Sequence, residues 1–121
     1  MASKPIALIV EDDETIAFTV QELLREEGYD AVLAPGLSEA RATLATRPPK
    51  VVYLDLMLGE EWGGDLLRDF ARENGPNVVI VSASLEGQAL ADAWSIECVR
   101  KPFDIEALLA ALVHARRPVA P

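Results

Sequence analysis

Short apolar runs that end abruptly in polar residues alternate along the chain with segments whose apolar residues fall at helical spacing, and this alternation restricts the fold more than any other feature. The first run, Ile6-Ala7-Leu8-Ile9-Val10, is continuous and rich in β-branched residues, the mark of a strand buried on both faces; it stops at Glu11-Asp12-Asp13. Ile16, Val20, Leu23 and Leu24 then recur at i, i+4, i+7 and i+8, which predicts an amphipathic helix closed by Gly28. The stretch DAVLA after Tyr29 reads as a second strand.

The pattern repeats. Ser38 is a candidate N-cap for a helix carrying Leu37, Ala40, Arg41 and Leu44, which Arg47-Pro48-Pro49 ends. Val51-Val52-Tyr53-Leu54 is the third strand, and Leu66, Leu67, Phe70 and Ala71 line a third helix terminated by Asn74-Gly75-Pro76. Val78-Val79-Ile80-Val81 is the fourth strand. Leu85, Ala89, Leu90 and Ala93 mark a short fourth helix, weakened by Gly87, which costs about 1 kcal/mol relative to Ala. Cys98-Val99 sits in a brief fifth strand. Asp104 is placed to cap a last helix bearing Ile105, Leu108, Leu109, Leu112 and Val113, and the tail RRPVAP is expected to fray.

Five alternations of strand and helix imply right-handed crossovers and a parallel sheet covered on both faces, a three-layer α/β sandwich. A length of 121 residues fits one such domain, and 50% hydrophobic against 26% charged residues argues against a disordered or fibrous chain. No apolar run approaches the roughly 20 residues needed to cross a bilayer, and the opening lacks a secretory signal's apolar stretch, so the expected setting is cytoplasmic. The single Cys98 forms no internal disulfide and offers no zinc cluster. A net charge of −9 without a basic stripe argues against direct nucleic-acid binding.

In open parallel sheets ligands bind beyond the carboxyl ends of the strands, where strand order reverses. Those ends carry Glu11 and Asp12, Asp55, Ser82 and Lys101. Three carboxylates gathered there repel one another unless a cation sits among them, and a hard, oxygen-lined site suits Mg2+. A carboxylate can also act as nucleophile toward a phosphoryl group when charge on the transferring oxygens is neutralised, a task open to Mg2+, Lys101 and the Ser82 hydroxyl. Taken singly, each residue has a plainer structural reading: an acid after a strand often caps a helix, and a lone Ser or Lys usually lies on the surface.

Taken together, LIVEDD, YLDLML, VIVSAS and VRKPFD resemble, over nearly the whole chain, the receiver domain of bacterial response regulators. The family pattern of an acidic pair, an acceptor Asp, a Thr or Ser and Lys-Pro after successive strands is met by Glu11-Asp12, Asp55, Ser82 and Lys101-Pro102. The resemblance implies a doubly wound five-stranded parallel sheet, flavodoxin-like with order 2-1-3-4-5, and a single receiver domain over residues 1–121. It further implies that Asp55 accepts a phosphoryl group from a sensor histidine kinase or histidine phosphotransfer protein. Asp12, Asp55 and the Met57 carbonyl would bind Mg2+ directly and Glu11 through a water, while Lys101 and Ser82 pair with phosphoryl oxygens. A cis Lys101-Pro102 bond is expected, Asp13 falls outside the metal shell and can instead cap the first helix, and a downstream protein would dock on helix 4, strand 5 and helix 5.

The chain departs from that pattern at Gly59, where Pro is common; at Trp62, where an Asp often precedes the loop's Gly63; and at Cys98, which replaces the aromatic switch residue. The interval from Ser82 to Lys101 is also short, and the shortfall falls in the fourth helix. Three rival functions share parts of this pattern. A pseudo-receiver that binds partners without phosphorylation is disfavoured by the intact five-residue set. An aspartyl-phosphate hydrolase lacks the second acid at Met57 and a cap domain. A flavodoxin-like electron carrier would have to seat a flavin phosphate against Glu11-Asp12-Asp13.

Overall fold

A computed structural model describes residues 3–121 and shows the expected doubly wound architecture. Five strands, β1 (Ile6–Val10), β2 (Asp30–Ala34), β3 (Val51–Asp55), β4 (Asn77–Ser82) and β5 (Glu97–Arg100), form one sheet in the order β2-β1-β3-β4-β5. All pairings in it are parallel. Order reverses between β1 and β3, so the crevice at their carboxyl ends is where a ligand site is expected.

Because successive side chains of a strand point to opposite faces, each central strand supplies two cores. Ala7, Ile9, Val51, Tyr53, Val79 and Val81 pack under α1 (Glu14–Glu26) and α5 (Ile105–Val113). Leu8, Val10, Val52, Leu54, Val78 and Ile80 pack under α2 (Leu37–Thr46), α3 (Leu67–Phe70) and α4 (Leu85–Ala93). The continuous apolar runs of β1, β3 and β4 follow from burial on both sides. Among the described residues no helix is long and apolar enough to cross a membrane.

Several local expectations are corrected. The cap of α2 is Gly36, not Ser38, and the carboxylate of Glu61 accepts from Leu37 N at 3.1 Å, so a residue distant in sequence does what the exposed Ser38 was expected to do. The third helix is much shorter than its apolar spacing implied. A 3-10 turn, Gly63–Leu66, leads into the single α turn of α3, and Gly75 then folds back so closely that a β carbon on it would lie 2.2 Å from Phe70 O.

In α4 the buried positions are Gly87 and Ala91, with Leu90 half-buried and Trp94 buried just beyond, whereas Leu85, Ala89 and Ala93 face solvent. In α5, Ile105 and Val113 are exposed and Ala111 joins Leu108 and Leu112 inside. The tail is docked, not frayed. Val78 N donates to Arg116 O, Val119 N donates to Trp94 O, each at 2.9 Å, and Pro118 is buried. Asp13 and Asp104 cap α1 and α5 as expected, accepting from Ile16 N and Glu106 N.

Candidate functional site

The five singled-out side chains sit where the topology puts strand ends. Glu11 follows β1, Asp55 ends β3 and Ser82 ends β4, while Lys101 follows β5, its N–H donating to Ser82 O at 3.0 Å. β1 and β3 pair with Ile9 opposite Tyr53, so Glu11 and Asp55, two residues further on, emerge side by side on the α1 and α5 face. Asp12 is exposed at the rim, and one carboxylate oxygen each from Glu11, Asp12 and Asp55 lie within 4.8 Å of one another.

Lys101 Nζ bridges the two buried acids, donating to Glu11 Oε1 at 2.6 Å and to Asp55 Oδ2 at 3.1 Å. Tyr53 donates its hydroxyl to the same Glu11 Oε1 at 2.8 Å, and Asp13 N donates to Glu11 Oε2 at 3.3 Å. Asp55 Oδ1 accepts from Met57 N at 3.2 Å. The Lys101-Pro102 peptide is cis.

Electrostatics follow from this crowding. Burial, then the neighbouring Glu11 carboxylate, push Asp55 up to about 7, against the pull of Lys101. Burial also pushes Glu11 up, but bonding with Asp55, Lys101 and Tyr53 outweighs it and holds Glu11 below its ordinary value. Lys101 is lowered by burial yet ends above its ordinary value because two carboxylates face it. The site thus holds more acid than one ammonium can balance, and its hard oxygen donors fit a divalent cation such as Mg2+.

The loop after β3 is shaped by two glycines. Gly59 has φ +64 at the tip of a small hairpin formed by Met57–Leu58 and Glu61–Trp62, a conformation closed to Pro, which is held near −65°. Gly63 N donates to Leu56 O at 2.7 Å, and a β carbon there would stand 2.1 Å from Asp55 O. Met57 has an exposed side chain. On the other side, Ser82 Oγ accepts from Ser84 N at 3.1 Å, and Cys98 is half-buried with its thiol pushed up by burial.

Sequence reasoning did not single out Tyr53, although a Tyr two residues before an acid on one strand shares its face and must satisfy a buried hydroxyl. Nor did it see Gly87 as a contact residue of Ser82 and Cys98. That contact depends on how α4 lies on the sheet.

Comparison with known proteins gives a consistent result. The family model described as response regulator receiver domain matches residues 7–113. The KDP operon transcriptional regulatory protein KdpE of Escherichia coli is 33% identical over 113 residues, which cover 91% of this chain and 50% of that protein. Protein Rrf1 of Nitratidesulfovibrio vulgaris is 33% identical over 110 residues, covering 89% and 80%. The structure of a CheY-like response regulator receiver domain from Methylobacillus flagellatus superposes with a TM-score of 0.73 at 30% identity, covering 92% of this chain and 98% of that one. The chain spans only part of most curated relatives it matches, 24% of one, 48% of another and 57% of a third.

Proposed function

This chain belongs to the response regulator receiver domain family, and from that premise we propose that it is a Mg2+-dependent phosphoacceptor switch of a two-component phosphorelay, with Asp55 as the acceptor. The observation that carries the reading is the Lys101 ammonium held between the Glu11 and Asp55 carboxylates, beside the exposed Asp12.

In this reading an Asp55 carboxylate oxygen forms a bond to phosphorus while the P–N bond of a phosphohistidine breaks and its electron pair returns to the ring nitrogen. The donor is a sensor histidine kinase or a histidine phosphotransfer protein, which gives the chain a cytoplasmic setting. Asp12, Asp55 and the Met57 carbonyl would hold Mg2+, with Glu11 acting through a coordinated water. When bound, the cation neutralises charge on the transferring oxygens. Lys101 turns from Asp55 to one phosphoryl oxygen. Ser82, whose hydroxyl now accepts from Ser84 N, donates to another and carries the Ala83-Ser84 loop with it. A downstream protein would read the surface of α4, β5 and α5, which includes a groove lined by Cys98, Phe103, Ala107 and Ala111.

Incubation with acetyl phosphate and Mg2+, followed by intact mass, should show one added phosphoryl group that EDTA prevents. Label on Asp55→Asn at the wild-type rate would remove Asp55 as acceptor. No label on either protein would leave a phosphorylation-independent interaction module.

A further inference from the structure

Tyr53 lies beneath the candidate site, fully buried on β3, two residues before Asp55 and on the same face of the sheet. Its ring meets Phe103 edge to face, with centroids 6.4 Å apart and planes at 77°. A buried tyrosine hydroxyl usually finds a partner, and a backbone carbonyl would serve. Here the partner is Glu11 Oε1, the oxygen that also takes the Lys101 ammonium. The Glu11 side chain has no solvent exposure, so bulk solvent does not reach Oε1 to replace a donor that leaves.

Lys101 is the donor that has another task. We propose that Tyr53 is a positioning residue of the transfer site: by donating to the Glu11 oxygen that Lys101 also holds, it keeps the Glu11 carboxylate in place beside Asp12 and Asp55 when the Lys101 amine turns to the phosphoryl group. The inference rests on the reading of Asp55 as a Mg2+-dependent phosphoacceptor. Partners that orient the carboxylates of a metal site from behind typically change metal affinity about 10–100-fold when removed. Tyr53 reaches the acids only through Glu11, so its effect falls on cation binding and not on the chemical step.

The test compares wild type, Tyr53→Phe and Phe103→Leu. Tyr53→Phe keeps the ring and removes the hydroxyl, whereas Phe103→Leu disturbs the ring packing and keeps the hydroxyl. Mg2+ affinity is read by calorimetry and by Trp fluorescence, and phosphorylation by acetyl phosphate is read across Mg2+ concentrations. Tyr53→Phe should bind Mg2+ about tenfold more weakly and regain the wild-type phosphorylation rate at saturating Mg2+, while Phe103→Leu keeps wild-type affinity. Wild-type affinity in Tyr53→Phe, or equal weakening in both variants, overturns the proposal. A wild-type protein without a Mg2+ response instead overturns the phosphoacceptor reading beneath it. A measurement on the wild type alone guards against a variant that does not fold. The Tyr53 hydroxyl proton should be a slowly exchanging resonance in the free protein and stay so after Mg2+ and beryllofluoride are added; its loss on loading overturns the proposal.

Discussion

Gly87 of α4 lies so close to Ser82 of β4 that a β carbon built on it would stand 2.6 Å from the Ser82 β carbon and 3.0 Å from its hydroxyl oxygen. The same atom would be 3.2 Å from Cys98 Sγ. The glycine that looked like a weakness of the helix is what lets α4 touch the residue expected to move. Gly87→Ala should gain about 1 kcal/mol of helix propensity and lose about 1–3 kcal/mol to overpacking against the strand. The net expectation is a lower melting temperature, by about 4 °C for each kcal/mol in a domain of this size. A melt in which Gly87→Ala is as stable as wild type would show that α4 shifts freely away from Ser82.

Asp55 gives a pH signature. Its carboxyl is pushed from an ordinary 3.8 up to about 7, by burial first and Glu11 second. A raised folded value means that the native state binds the proton more tightly than the unfolded chain. The metal-free protein therefore loses stability as pH rises from about 4 to about 7 and loses no more above that. Asp55→Asn does not titrate. Its stability advantage over wild type should be near zero at pH 4 and reach roughly 2–4 kcal/mol at pH 8, each pH unit of displacement being worth about 1.4 kcal/mol. Denaturant melts at the two pH values with EDTA present check this, and an advantage independent of pH would count against the raised value.

The same carboxyl couples Mg2+ to protons. Only the ionised form can ligate, so Mg2+ affinity should fall about tenfold per pH unit below pH 7 and level off above it. Calorimetric titrations at pH 6.5 in buffers of different ionisation enthalpy should give different heats, reporting proton release. Equal heats in all buffers would mean that no carboxyl changes protonation on binding.

The parts of the fold visible in the sequence are those set by local chemistry. Ile6–Val10 had to be a two-sided strand, the acids had to follow it, and Asp13 and Asp104 cap helices within their own turns. What sequence did not disclose depends on contacts between distant segments. Ser38 is a good local cap, but Glu61 reaches Leu37 N across the hairpin, so the helix starts two residues earlier than Ser38 alone would set. The apolar residues of α4 suggest one face, yet Gly87 and Ala91 are the ones inside, and at position 87 a side chain would collide with Ser82. The tail has the composition of a loose end, and Val78 and Trp94 hold it through backbone bonds that no side-chain pattern encodes. Of the candidate site, the carboxylates and Lys101 were legible from strand ends. Tyr53 was not, because its role depends on the β1 and β3 register.

Glu61 offers a last test, of the link between the loop after Asp55 and α2. The α2 cap residue Gly36 has no side chain to accept from the first helical N–H groups, and Glu61 Oε1 supplies that acceptor at 3.1 Å from Leu37 N. Its negative charge also faces the positive end of the helix dipole. Gly36 permits the approach, since a β carbon there would lie 2.6 Å from that oxygen. Glu61→Ala should then cost about 1 kcal/mol, as loss of a helix cap does, and Glu61→Gln less, because it keeps an acceptor and loses only the charge. Amide exchange should speed up at Leu37 and Ser38, and also in the hairpin of residues 57–62, because the bond that caps the helix also holds the hairpin down. Faster exchange at α2 alone, with the hairpin unchanged, would show that the loop beside Asp55 is fixed by Gly63 and Trp62 without help from the helix.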